Sequence, residues 1–297
     1  MCDTCGCNLT SGNEHLVHGK GKLARSEDGR AAVTVLQDLL RENDQQADHN
    51  RAHLDQYGIL TINLMSSPGS GKTALLEATI DALREEFNLA VIEGDLETEN
   101  DASRIRAKQV PVVQITTGSA CHLDAHMVHN ALHALSLEQV DILFIENVGN
   151  LVCPASFDLG HHRNVTLLSV TEGDDKPAKY PVMFRAADLL LITKSDLLAV
   201  LEDFTPRMAE QHFRNLANTA PVFSLSARTG LGLADWLTWL RQTLMAHRTR
   251  LQSGRTSYPA IQPDGVRRHQ LDIRNNTPSQ AHSHAHHQHH ATHHREA

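Results

Sequence analysis

The chain has 297 residues, 40% of them hydrophobic, and a formal net charge of −8. That length supports one sizeable buried core, and the acid excess excludes a nucleic-acid footprint or an anionic membrane surface as the expected partner. No apolar stretch approaches the roughly 18 residues of a membrane span, and the first twenty residues are too polar for a secretory leader. The odd set Cys2, Cys5, Cys7, Cys121 and Cys153 therefore reads as reduced thiols in a cytoplasmic protein.

Taken in order, residues 1–25 carry Cys2, Cys5 and Cys7 followed by a linker without apolar period. From Ser26, a candidate cap, to Leu54 the spacing of Val33, Leu36, Leu39 and Leu40 predicts a helix. Short apolar runs then alternate with helical segments. Strands are expected at Ile59–Met65, Leu89–Glu93, Pro111–Ile115, Asp141–Glu146, Val165–Val170, Leu189–Thr193 and Val222–Leu225. Helices are expected over Thr73–Phe87 and Ala234–Arg250. This is the pattern of an α/β fold, a mostly parallel sheet covered by helices on both faces. The folded domain is expected over 26–251, with 252–297 a disordered tail holding eight histidines between His282 and His294.

Ser66-Ser67-Pro68-Gly69-Ser70-Gly71-Lys72-Thr73 follows a strand and opens a helix, the context of a phosphate-binding loop. Gly69, Ser70, Gly71 and Ala74 would bring backbone to the phosphates, Lys72 would neutralise the β/γ oxygens, and Thr73 would ligate Mg²⁺. Thr193-Lys194-Ser195-Asp196 resembles the guanine-reading Asn-Lys-x-Asp motif, with Thr in place of Asn. Asp196 can accept from guanine N1–H and its amino group, and Ser226-Ala227 would back the base. Of the carboxylates at strand ends, Asp95 is assigned to the Mg²⁺ shell and Glu146 to the water side, with Gly149 offering an amide to the γ-phosphate. The alternative reading is that either carboxylate merely caps a following helix.

Thiolates and imidazoles suit borderline divalent ions. Cys2, Cys5 and Cys7 beside the terminal amine can form an NS₃ site for Ni²⁺ or Zn²⁺. Cys121, His122 and Cys153, near the nucleotide edge of the sheet, form a second candidate. A helix continuing from Cys121 would align His122, His126, His129 and His133 on one stripe, and the last three are read as a solvated or subunit-contacting face. The carboxyl-terminal histidines read as a low-affinity reservoir.

The terminal Cys-x₂-Cys-Gly-Cys, Ser-Ser-Pro-Gly-Ser-Gly-Lys-Thr, Glu-Gly-Asp-Leu-Glu-Thr, Gly-Ser-Ala-Cys-His-Leu-Asp-Ala and Glu-Asn-Val-Gly-Asn-Leu-Val-Cys-Pro together resemble the hydrogenase nickel-incorporation GTPases, the HypB family. The resemblance runs from residue 2 to about 230. It implies a P-loop GTPase domain of the class that includes the urease accessory GTPase UreG, acting as a homodimer. It implies tight nickel binding at Cys2, Cys5 and Cys7, and a nickel or zinc site at Cys121, His122 and Cys153 across the dimer interface. It further implies slow GTP hydrolysis to GDP that gates nickel delivery to the [NiFe]-hydrogenase large subunit, with a HypA-type chaperone as partner. Thr193, and a histidine tract at the carboxyl rather than the amino end, depart from the family pattern. A urease-type nickel chaperone and a nickel or zinc store with a vestigial G domain are the rival readings.

Overall fold

The computed structural model describes residues 30–95, 100–118 and 120–260, with side chains from residue 39 onward. Cys2, Cys5, Cys7, the linker, the Ser26 cap and the histidine tail lie outside the described residues.

A long helix, α1 (Arg30–Gln56), leads into strand β1 (Leu60–Met65) and the helix α2 (Lys72–Leu83). Then follow β2 (Leu89–Asp95), α3 (Asn100–Arg106), β3 (Val112–Thr116), α4 (Ala125–Leu132), β4 (Ile142–Glu146) and β5 (Arg163–Ser169). The short helices α5 (Lys176–Lys179) and α6 (Pro181–Arg185) precede β6 (Leu189–Thr193). The remaining elements are α7 (Pro206–Arg214), β7 (Val222–Ser224) and α8 (Leu233–Gln252). Each expected strand is present within two residues. The helix after the phosphate loop ends at Leu83 rather than Phe87, because the amides of Glu86 and Phe87 both fold back on the Leu83 carbonyl in a closing turn.

All seven strands are parallel, in the order β3-β2-β4-β1-β5-β6-β7. The central strand β1 is buried at every position. Its Leu60, Ile62 and Leu64 point to one face, where Leu75, Leu76 and Ile80 of α2 and Trp236, Leu240 and Leu244 of α8 cover them. On the other face, α1 and α4 pack through Leu54, Val128 and Leu132, while α6 and α7 contribute Met183, Phe184 and Phe213. With both faces covered, polar residues of the central strands are buried too, and Asn63 of β1 donates to Asn164 Oδ1 of β5 at 3.0 Å. Parallel strands also place all their carboxyl ends on one edge, where ligands of open α/β sheets bind.

The expected boundary of the domain at residue 251 needs correction. Residues 257–260 pack on the core: Ser257 and Pro259 are buried, and the Arg51 guanidinium sits 4.6 Å from the centre of the Tyr258 ring. The Ala260 amide donates to the Asp188 carboxylate at 3.2 Å. The segment is polar in composition because it is held by backbone hydrogen bonds and one ring, not by an apolar stripe.

Candidate functional site

The phosphate loop spans the gap between β1 and α2. Gly69 and Gly71 have φ of +74° and +93°, and Gly71 caps α2 in the left-handed region that side chains avoid. Ser66 stands at the position of the usual first glycine. Its hydroxyl donates to the Ser67 carbonyl (2.7 Å) and accepts from Lys72 Nζ (3.1 Å), so this departure positions the lysine. Burial pushes the Lys72 ammonium below its usual pKa, opposed by the charges of Glu146, Asp101, Glu172 and Glu93.

Thr73 donates its hydroxyl to Glu146 Oε1 at 2.8 Å. Burial raises the Glu146 carboxyl to about 7, with Lys72 and Thr73 acting in the opposite direction. Glu93 is pushed up to about 8, by burial first and then by repulsion from Glu146 and Asp95. Among the described residues, Oε2 of Glu93 and Oε2 of Glu146 are buried and accept no hydrogen bond. Two open carboxylate oxygens near a threonine hydroxyl and a lysine fit a hard divalent cation such as Mg²⁺. Gly149 approaches the loop so closely that a Cβ would lie 2.8 Å from Pro68 Cα, which requires glycine there.

A cavity of about 230 Å³ opens beside the loop, lined by Ser70, Gly71, Ala74, Lys194, Asp196 and Ala227 among others. Thr193, in the place of the expected Asn, donates its hydroxyl to the Ser70 carbonyl at 2.7 Å and so ties the base-side segment to the phosphate loop. Ser226 is fully buried, and its backbone and hydroxyl organise the turn through Leu231, Gly230 and Thr229. Glu172 was not singled out in the sequence: its carboxylate accepts from the Ser70 hydroxyl and the Ser169 amide, and no motif flags it.

The second candidate site lies on the same edge. Cys121 Sγ and Cys153 Sγ are 3.2 Å apart, and His122 Nδ1 is 3.8 Å from Cys121 Sγ. The three ligand atoms all lie within 4.8 Å of one another. His122 is 1% exposed and stacked on Phe157, with ring centres 3.9 Å apart. Burial lowers its pKa to about 4, so it presents a neutral imidazole, the form that binds metal. The stripe expected from Cys121 onward is corrected here. The helix starts at Ala125, capped by Asp124 accepting from the Met127 amide, so Cys121 and His122 sit in the preceding turn.

Three side-chain contacts join the two sites. Asn147, directly after Glu146, accepts from the amides of Leu123 (3.3 Å) and Val148 (3.0 Å). Asn150, directly after Gly149, donates to the Cys121 carbonyl at 3.2 Å. Gly94 of β2 packs against Leu123 so tightly that a Cβ there would come within 2.8 Å of its side chain.

Asp55, His162 and His247 also bring a carboxylate and two imidazoles together, at the opposite end of the sheet. His162 Nδ1 accepts from the Thr61 amide at 2.9 Å, which leaves the proton on Nε2, facing Asp55. A protonated Nε2 is a donor, not a ligand, so His162 and Asp55 form a hydrogen-bonded pair rather than part of a metal site.

Fold and site together define a P-loop nucleotide-binding protein with an adjoining thiolate–imidazole site. The nucleotide-binding domain described as CobW/HypB/UreG matches residues 60–224. The hydrogenase maturation factor HypB of Azotobacter vinelandii is 48% identical over 256 residues, covering 85% of this chain and 84% of that protein. The crystal structure of HypB from Helicobacter pylori in complex with nickel superposes with a TM-score of 0.66 at 43% identity, over 69% of this chain and 96% of that one. HypB from Archaeoglobus fulgidus gives 0.65 at 38% identity, over 69% and 100%. The chain belongs to the HypB family of hydrogenase maturation factors.

Proposed function

We propose that this protein hydrolyses GTP slowly and uses the change of nucleotide to release Ni²⁺ from Cys121, His122 and Cys153 toward the [NiFe]-hydrogenase large subunit. Lys194 and Asp196 select guanine in the cavity beside the phosphate loop, with Ser226 and Ala227 behind the base. Lys72 and the loop amides hold the β- and γ-phosphates. Mg²⁺, carried in with the nucleotide, would be held by Thr73 with Glu146 and Asp95 near it, and would supply positive charge against the γ-phosphate. The hydrogen bond from Thr73 to Glu146 favours Glu146 over Asp95 as the carboxylate nearer the ion.

The observation that carries the coupling is the pair of asparagines. Asn147 and Asn150 flank Gly149, and their side chains hold the Leu123 amide and the Cys121 carbonyl. A shift of Gly149 toward a γ-phosphate therefore moves the backbone that carries Cys121 and His122, while Cys153 lies in the same segment as Gly149. The relative in complex with nickel supports Ni²⁺ as the cargo. Zn²⁺ is the competing ion for a site of two thiolates and one imidazole. Cys2, Cys5 and Cys7 would form a separate, tighter nickel site. A homodimer and a HypA-type chaperone complete the reading: the first would bring two copies of this site together, the second would exchange nickel with it.

The test is nickel titration of the protein loaded with GDP and with a non-hydrolysable GTP analogue, after Cys2, Cys5 and Cys7 are changed to serine. Affinity is expected to differ by roughly five- to 150-fold between the two states, with nickel altering nucleotide affinity by the same factor. Equal nickel affinity in both states would remove the coupling and leave a structural metal site.

A further inference from the structure

Two histidines of the expected solvated face, His129 and His133, have partners. His129 lies on α4 and His133, its carboxyl cap, one turn further on, with their Nε2 atoms 3.1 Å from each other. Facing them on α1 are His49 and His53, also one turn apart. The ring centres of His49 and His129 are 5.3 Å apart, and those of His53 and His133 6.4 Å. Two i, i+4 histidine pairs thus meet across a helix–helix contact.

The tautomer of His129 is fixed by its neighbour. Asn50 donates its amide to the carbonyls of Ala125 (2.7 Å) and Leu159 (3.2 Å), so its Oδ1 is the acceptor facing His129 Nδ1 at 3.0 Å. His129 therefore carries its proton on Nδ1 and presents a bare Nε2, the oriented form typical of a ligating histidine. This is the reverse of His162, whose Nδ1 is an acceptor. Two nitrogens bound to one ion at about 2.1 Å, with angles of roughly 90–110°, stand about 3.0–3.4 Å apart. The observed separation falls in that range; without an ion it is a hydrogen bond from His133 Nε2–H to His129 Nε2, and a bound cation displaces that proton, which the exposed His133 can carry on Nδ1 instead.

We propose that His129 and His133, joined by an imidazole from His49 or His53, form a further transition-metal site that pins α1 to α4 and takes a borderline divalent cation such as Ni²⁺ or Zn²⁺. His49 is exposed and His53 half-buried, so either ring can turn toward the pair. Water completes the coordination on the open side. An all-imidazole, partly exposed site suits rapid exchange better than the buried thiolate site, and it disfavours Mg²⁺ and Ca²⁺. The proposal stands apart from the nucleotide-coupled site, since it uses none of its residues.

The experiment is hydrogen exchange of the full chain with added Zn²⁺ and, separately, Ni²⁺, following peptides from residues 46–57 and 125–133. Metal should slow exchange in both segments. His133 is exposed, so His133→Asn should leave the fold and GTP hydrolysis intact. It should raise the metal concentration needed for half-maximal protection of these two segments by at least about tenfold. His49→Asn/His53→Asn should do the same, while metal-dependent protection of residues 120–124 and 150–156 persists in both variants. Protection of 46–57 and 125–133 that is absent in the native protein, or unchanged in His133→Asn, would overturn the site. Unchanged protection in the double variant would overturn its α1 half.

Discussion

Two ends of the same sheet bury charge, and they do so differently. At the amino end of β5, Arg51 and Asp158 are ion-paired and almost fully buried. Arg51 also donates to the His161 carbonyl and covers Tyr258, and Asp158 accepts from the Gly160 amide at 2.9 Å. Gly160, at φ +89°, lets α1 approach to where a Cβ would be 2.5 Å from Asn50 Cβ. At the carboxyl end, Glu93 and Glu146 each keep one buried oxygen without a hydrogen bond from the described residues, beside a buried Lys72. A buried charge whose partners come from the chain serves the fold. One left open raises its own pKa and is stabilised only by something that binds.

The comparison can be broken most decisively at the closed end. Arg51→Ala leaves Asp158 buried without its cation and should cost about 3–5 kcal/mol in denaturant unfolding, with guanine-nucleotide affinity of the folded protein nearly unchanged. A loss below about 1 kcal/mol would show that water already screens this pair.

At the open end the pattern should invert. Glu146→Gln should lower kcat for GTP by roughly 10²–10³, since it removes a preorganised charge near the phosphates, yet leave the unfolding midpoint equal or higher. A clear loss of stability with normal turnover would make Glu146 a structural residue like Asp158.

On the base side, Asp196→Asn should weaken GTP on the order of a hundredfold and favour xanthosine triphosphate, whose 2-oxo group accepts where guanine donates. Comparable binding of ATP and GTP by the native protein would contradict the role given to Asp196.

The open end also sets a pH dependence. Folded Glu146 and Glu93 titrate near 7 and 8, against about 4.5 when unfolded. Between these values the folded state holds protons that the unfolded state has lost. Their contribution to stability is thus full below about 4.5 and declines as pH rises to about 8. Mg²⁺ with nucleotide should flatten that decline, and Glu146→Gln should reduce it. Denaturation midpoints at pH 6 and pH 8, with and without ligand, measure both slopes. A ligand-free protein more stable at pH 8 than at pH 6 would mean that other groups dominate.

The motifs placed the nucleotide site because short-range chemistry demands them. Gly69 and Gly71 need positive φ, Lys72 must follow at a fixed spacing, and the flanking apolar runs must be a strand and a helix. The grouping of Cys121, His122 and Cys153 was legible too, because few residue types ligate, and the structure brings their three ligand atoms within 4.8 Å of one another.

Several features were decided only by the tertiary structure. Thr193 ties the end of β6 to Ser70, and Glu172 meets Ser70 from 102 residues away. Neither contact has a local periodicity or spacing to betray it. The packing of residues 257–260 has no local signal for the same reason, since their anchors on Asp188 and Arg51 are distant in sequence. His49, His53, His129 and His133 carry the clearest lesson: helical spacing fixed each pair on its own face, but only the packing of α1 on α4 turned the two faces toward each other. Local order follows from dihedral preference and side-chain period along the chain. Which surfaces then meet depends on burying one shared core, and no single segment carries that information.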